Sequence, residues 1–182
     1  MNVLIIIDMQ NDFLSGVLGT KEALLVEDNV VKRIKNSNNE LILFTQDTHC
    51  NNYLNTQEGK KLPILHCLEN TWGHEISKPI ISTWQENQTT IRHSQLNNNT
   101  FVKRIFASMS LIDFLKNKED EINQIQICGL CTDICVITHS ILLKNTLPAT
   151  NIQVIANCSA GTTPASHKEA LNIMEKCHID II

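Results

Sequence analysis

Short uninterrupted apolar runs alternate along this chain with longer stretches in which apolar residues recur every three or four positions. "VLIII" (3–7) and "LILFTQD" (41–47) are rich in branched apolar residues with no polar alternation, the pattern of strands covered on both faces. "FVKRI" (101–105), "IQICG" (125–129), "NIQVIAN" (151–157) and "IDII" (179–182) continue the series. Between them, "ALLVEDNVVKRIKN" (23–36), "SLIDFLKNKED" (110–120), "DICVITHSILLKN" (133–145) and "PASHKEALNIMEKC" (164–177) carry helical spacing. Residues 50–100 are polar and rich in Asn, Gln and Thr, so the pattern predicts no long element there and assigns no role to the segment 77–99. Strand–helix alternation of this kind predicts one α/β domain over residues 1–182, a mostly parallel, doubly wound sheet with helices on both faces.

Composition narrows the partners. A net charge of -4 and a pI near 5.9 leave no basic footprint for nucleic acid and no cationic face for a membrane. The first apolar run is broken by an acid at position 8 and has no positively charged segment before it, so it does not read as a secretory signal. Seven cysteines without such a signal read as reduced thiols in a cytoplasmic protein.

Open parallel sheets bind ligands outside the carboxyl ends of their strands. Those ends carry Asp8, Asp47 with His49, Lys103, and "GLCTDIC" (129–135), all polar or reactive on otherwise apolar strands. Cys135 falls in the first turn of a helix expected to begin near Asp133, where free N–H groups and the helix dipole favour a thiolate and can hold an oxyanion. Asp8 could act as its base, and Lys103, costly in an apolar strand unless paired, as the charge beside both. A second grouping comprises Asp47, His49, Glu58 and His66. Asp47 and His49 sit on one side of a strand end, and a third donor from the following loop would complete a mixed nitrogen–oxygen set for zinc, manganese or iron. Cys67 reads as packing beside His66. His74, His93, His139, His167 and His178 read as structural or solvated. "CGLC" (128–131) leaves a thiol–disulfide reading through Cys128 and Cys131 open, although Cys128 lies inside the strand rather than at a helix start.

Taken together, "IIIDMQNDF" (5–13), "DTH" (47–49), "EGKKLPILHC" (58–67), "VKRIFAS" (102–108) and "ICGLCTDICV" (127–136) resemble the isochorismatase-like cysteine hydrolases, and within them the nicotinamidase/pyrazinamidase branch. The resemblance covers nearly the whole chain. It implies the isochorismatase-like hydrolase fold, a catalytic triad of Asp8, Lys103 and nucleophilic Cys135, and a cis peptide at Leu130–Cys131. It further implies an oxyanion hole from the backbone N–H groups of Cys131 and Cys135, and metal ligands at Asp47, His49 and His66, with Glu58 matching a ligand of some members. Phe13 would stack on the substrate ring, with Gln10 as its pocket neighbour. The implied reaction is hydrolysis of a linear carboxamide through a thioester, nicotinamide to nicotinate and ammonia, with a divalent metal, zinc first, orienting the ring. The resemblance also implies a small-molecule amide as partner and a homo-oligomeric assembly. The alternative is a related cysteine hydrolase of another small amide or ureido compound. The branch's aromatic ahead of "HC" is absent from "LPILHC", and Tyr53, Trp72 and Trp84 are the candidates to replace it.

Overall fold

The first strand, β1 (Asn2–Ile7), is apolar at every position after Asn2 because both its faces are covered. Val3, Ile5 and Ile7 join one core cluster, while Leu4 and Ile6 join a second on the opposite face. A computed structural model describes residues 1–38, 40–88 and 96–182. The expected α/β architecture is present. After a short helix α1 (Asn11–Leu14), helix α2 (Lys21–Lys35) starts at Thr20, whose hydroxyl accepts the N–H of Ala23 at 3.0 Å. It turns Ala23, Val26, Val30 and Ile34 onto the Leu4/Ile6 face. Strand β2 (Leu41–Asp47) follows in parallel register, with Val3 beside Leu41 and Ile6 beside Phe44.

The region expected to lack a long element holds one. After the short α3 (Gln57–Lys61), helix α4 (Lys78–Gln88) buries Ile80 and Trp84, one turn apart, in the α2-side core. Trp84 meets Phe44 edge-on at 5.6 Å. The sequence "KPIISTWQENQ" combines β-branched and short polar residues of weak helix propensity, so this helix owes its stability to that tertiary contact rather than to local preference. His93 lies outside the described residues, as does the rest of 89–95.

Helix α5 (Leu96–Asn99) leads into β3 (Thr100–Lys103), where the strand ends at Lys103 rather than continuing to residue 105. Helix α6 (Met109–Lys116), capped by Ser108, packs Leu111, Ile112 and Leu115 on the Ile5/Ile7 face. Strand β4 (Gln124–Leu130) pairs with β1 and runs into a wide π-helical turn (Thr132–Val136) before α7 (Ile137–Thr146). Strand β5 (Asn151–Ala160), helix α8 (Pro164–Lys176) and the short β6 (Asp180–Ile181) complete the fold. The six strands are all parallel in the order β3-β2-β1-β4-β5-β6. The order reverses between β1 and β4, the switch point at which an open sheet leaves a crevice beyond its carboxyl ends. Asp8 and the π turn both lie there.

Gly129 has φ +122, and a Cβ placed on it would come within 2.1 Å of the Ile7 carbonyl oxygen. Only glycine lets β4 approach β1 this closely at the level of Asp8.

Candidate active site

Four strand ends deliver the chemistry. Asp8, just past β1, adopts φ 47, a left-handed conformation that Asp tolerates better than most residues. Its side chain is fully buried. Thr45, on β2, receives the Asp8 N–H at 3.1 Å and donates its hydroxyl to Asp8 Oδ1 at 2.7 Å. Lys103, ending β3, brings Nζ to 2.8 Å from Asp8 Oδ2, 3.3 Å from Asp47 Oδ1 and 3.5 Å from Cys135 Sγ. The three residues expected to form the catalytic set therefore meet in space, from positions 8, 103 and 135.

Burial alone would push the Lys103 ammonium down, but the carboxylates of Asp8 and then Asp47 outweigh it and hold the lysine above its ordinary range. The thiol departs from expectation. Burial pushes the Cys135 thiol well above the usual cysteine range, Asp8 adds to the shift through its charge and a hydrogen bond, and Lys103 offsets only part of it. Burial and the Asp8 charge thus work against the thiolate that a helix terminus by itself would favour at Cys135. Ionisation has to be coupled to a base, and Asp8 is the carboxylate in place.

The π turn places Cys135. The Cys131 carbonyl accepts the N–H of both Ile134 and Val136, each at 3.1 Å, which widens the turn around Cys135. Leu130–Cys131 is a cis peptide. Asp133 ties the turn to the loop after β5, accepting the Thr162 N–H at 2.9 Å and its hydroxyl at 2.5 Å. Cys131 itself lines the cavity, and its thiol is pushed up to about 12 by burial and then by Asp133 and Asp8. Cys128 is wholly enclosed in β4, and burial raises its thiol too. A redox pair needs an accessible first cysteine with a lowered pKa, and neither member offers one.

Beside this set, Asp47 Oδ2 lies 3.0 Å from His49 Nε2 and 3.5 Å from His66 Nε2. The three donors fall within 4.8 Å of one another and all three residues are buried. His66 Nδ1 donates to the Ile64 carbonyl at 2.8 Å, which leaves Nε2 facing Asp47. One ammonium, Lys103, serves two buried carboxylates, at 2.8 Å from Asp8 Oδ2 and 3.3 Å from Asp47 Oδ1. Buried charge of this kind calls for a further cation, so these residues fit a divalent metal. Glu58, on α3, faces the same cavity but is not among the three converging donors. The charge of Asp47 adds to its burial in raising the Glu58 carboxyl pKa.

Several residues that shape the site were assigned no such role from sequence. Gln10, expected as a pocket neighbour of the substrate, is fully buried and is absent from the cavity wall. Its amide binds backbone at both ends, donating to the carbonyls of Asp47 and His74 and accepting the Asp47 N–H at 2.7 Å. It therefore orients Asp47 rather than a substrate. Asp12 accepts the Cys67 N–H at 2.7 Å and so holds the loop carrying His66. Of the three candidate aromatics, Tyr53 is the one that reaches the histidines, at 4.4 Å from the ring of His49 and 5.0 Å from that of His66. Trp84 is in the α2-side core and Trp72 is exposed. The "DMQND" run, with its second acid, was the available signal for Asp12; Thr45 shares the side of β2 that Asp47 faces, an i, i+2 relation readable in principle.

These groups open onto a cavity of about 310 Å³. Asp47, Glu58, His66, Lys103 and Cys135 form its reactive wall, and Phe13, Leu18, Leu62, Ile105, Phe106 and Ile134 its apolar one. Phe13 stands 5.7 Å from the ring of His66. Among the described residues no helix is long and apolar enough to cross a membrane.

No curated protein matches the sequence. Solved structures do. The zinc complex of the pyrazinamidase of Pyrococcus horikoshii superimposes with a TM-score of 0.79 at 21% identity, covering 100% of this chain and 98% of that one. The pyrazinamidase/nicotinamidase of Streptococcus mutans gives 0.82 at 24%, covering 100% of both chains. The nicotinamidase of Staphylococcus aureus gives 0.70 at 25%, covering 99% and 97%. The isochorismatase domain model matches residues 2–182, and the chain therefore belongs to the isochorismatase family of hydrolases.

Proposed function

We propose that this protein is a cysteine-dependent amidohydrolase that converts a small linear carboxamide, nicotinamide first, to its acid and ammonia. The observation that carries the reading is the position of the Lys103 ammonium, 2.8 Å from Asp8 and 3.5 Å from the Cys135 sulfur. Asp8 takes the thiol proton as the sulfur adds to the amide carbon. The backbone N–H groups of Cys131 and Cys135, at the mouth of the π turn, are assigned to the developing oxyanion. Asp8 returns its proton to the departing nitrogen, releasing ammonia and leaving a thioester on Cys135. It then takes a proton from the water that attacks the thioester, and the acid leaves with the thiol restored. Lys103 stays charged throughout and offsets whichever of Asp8 and Cys135 is anionic. Asp47, His49 and His66 would hold a divalent metal, zinc first, whose role is to bind a ring nitrogen and fix the ring's position. Phe13 supplies a flat apolar contact for that ring. Similarity to pyrazinamidases and nicotinamidases, one of them a zinc complex, supports this choice. A homo-oligomeric, cytoplasmic enzyme is part of the same proposal.

A second reading, hydrolysis of another small amide or a ureido compound, draws on the cavity wall. Leu62, Ile105 and Ile134 line it, and "LPILHC" (62–67) carries no aromatic ahead of its His–Cys pair. A panel of small amides and ureides assayed for ammonia, with and without chelator, decides between the two. Nicotinamide turnover abolished by chelation and restored by zinc is the expected result. Turnover confined to a ureido compound would replace the first reading by the second.

A further inference from the structure

His139 is fully buried on α7, one turn after the nucleophile, and the mechanism above does not use it. Both its ring nitrogens are engaged. Nε2 accepts the N–H of Ser108 at 3.0 Å, so it carries no proton, and the proton therefore sits on Nδ1, which lies 2.7 Å from the Cys135 carbonyl oxygen and donates to it. A single neutral tautomer satisfies the two contacts. Burial pushes this imidazole below its ordinary range and keeps it neutral, although Asp8 opposes the shift.

What the ring connects gives it a role. Ser108 caps α6 and closes the segment that leaves β3 at Lys103, the same segment that places Ile105 and Phe106 on the cavity wall. The Ser108 hydroxyl also reaches the Val102 carbonyl at 3.4 Å, on the residue preceding Lys103. A chain of hydrogen bonds therefore runs from the nucleophile's own carbonyl through the imidazole to Ser108 and back to the lysine's strand. It is a second connection between β3 and the π turn, set apart from the direct contact between Lys103 and the thiol. Neither ring nitrogen faces the sulfur, so His139 is no general base in this arrangement.

We propose that His139 is a positioning residue, a buried strut whose Nδ1–H tautomer spans the Cys135 carbonyl and the Ser108 N–H and thereby sets how closely Lys103 meets the thiol. The inference rests on the reading of Cys135 as nucleophile. Side chains at 139 that bridge both partners should preserve the site, and those that bridge neither should loosen it. His139→Gln can donate and accept across the span, His139→Asn can reach one partner, and His139→Leu neither.

The test combines steady-state kinetics with the pH dependence of Cys135 alkylation by iodoacetamide, followed at that residue by peptide mass spectrometry. The alkylation readout needs no knowledge of the substrate. For His139→Leu, kcat should fall by about tenfold to a hundredfold with KM little changed, as for a sub-ångström displacement of reacting groups. The alkylation profile should move to higher pH, because a more distant ammonium stabilises the thiolate less. His139→Gln should recover most of the rate and the parent profile, with His139→Asn between them. Should His139→Leu fail to fold, the ranking of the Gln and Asn variants against the parent carries the same comparison. Equal behaviour of all variants, or a loss of thermal stability with kcat and the alkylation profile unchanged, would overturn the proposal. Cys135→Ala in the same assay reads the underlying assignment separately. Turnover that survives it overturns the nucleophile reading, whereas an inactive Cys135→Ala beside an unaffected His139→Leu overturns the strut alone.

Discussion

Asp8 and Asp47 end neighbouring strands, are both buried, and share the ammonium of Lys103, yet their surroundings prepare them for different work. Asp8 faces a thiol and is held by Thr45. Its neighbourhood offers it a proton to take. Asp47 faces two imidazole nitrogens and is held at its backbone by Gln10, and burial, which alone would raise its pKa, is outweighed by His49, His66 and Lys103, so it stays ionised. What stands on their far sides thus gives two identical carboxylates the surroundings that the proposed function needs, a base in one case and a ligand in the other. Lys103 is the member common to both halves, which makes the two halves separable by mutation.

The largest effect should come from the Asp8 side. Cys135→Ala should lower ammonia release by roughly ten-thousandfold while leaving metal content, measured by elemental analysis, at parent level. Asp8→Asn should cost about a hundredfold to ten-thousandfold in kcat, with an opposite sign in thiol reactivity. The Asp8 charge raises the Cys135 pKa, so its removal lowers that pKa and moves alkylation to lower pH; Lys103→Met removes the opposing charge and should move it higher. An Asp8→Asn enzyme that is inactive but alkylates only at higher pH would break the assignment of base and thiol.

On the Asp47 side the pattern should reverse. Asp12→Ala frees the Cys67 N–H and with it the loop bearing His66. We expect metal affinity to fall by about tenfold to a hundredfold, as for outer contacts of a metal site. The alkylation profile of Cys135 should barely move. A shift in that profile as large as the one from Asp8→Asn would mean that the halves are not separable. Thr45→Val, which strips Asp8 of two hydrogen bonds, should cost about 1–3 kcal/mol of stability in urea unfolding and reduce kcat with metal content intact. Smallest of all, Tyr53→Phe deletes only the hydroxyl contact to the Leu62 carbonyl, about 1 kcal/mol, and leaves both rings of the metal pair packed. A large loss of activity there would show that the hydroxyl, not the ring, matters.

How much of this could be read before folding differs from element to element. The strand at 3–7 and the helix at 164–177 declare themselves, because a strand buried on both faces must be apolar throughout and an amphipathic helix must repeat every turn. Helix α4 did not, because Ile80 and Trp84 are too few to make a pattern amid Ser, Thr, Gln and Asn, and it is the α2-side core that selects the helix. In the site, Asp8, Lys103 and Cys135 stood out as polar residues at the ends of apolar strands. Asp12, Thr45 and His139 did not, since each acts on a backbone group or a side chain far away in the chain, and Gln10 was expected beside the substrate rather than on the Asp47 backbone.

The sequence by itself determined the alternation of elements, hence the parallel sheet, and the residue types available at its carboxyl ends, because periodicity and the cost of burying polar groups are local properties of the chain. Only the tertiary structure decided that three strand ends and one helical turn meet around a single ammonium. It also decided that burial raises the Cys135 thiol and that the His139 ring lies between the Cys135 carbonyl and the Ser108 N–H. Distance and dielectric belong to the packed molecule: the local helix terminus favours ionised sulfur, and the closed site around it reverses that preference.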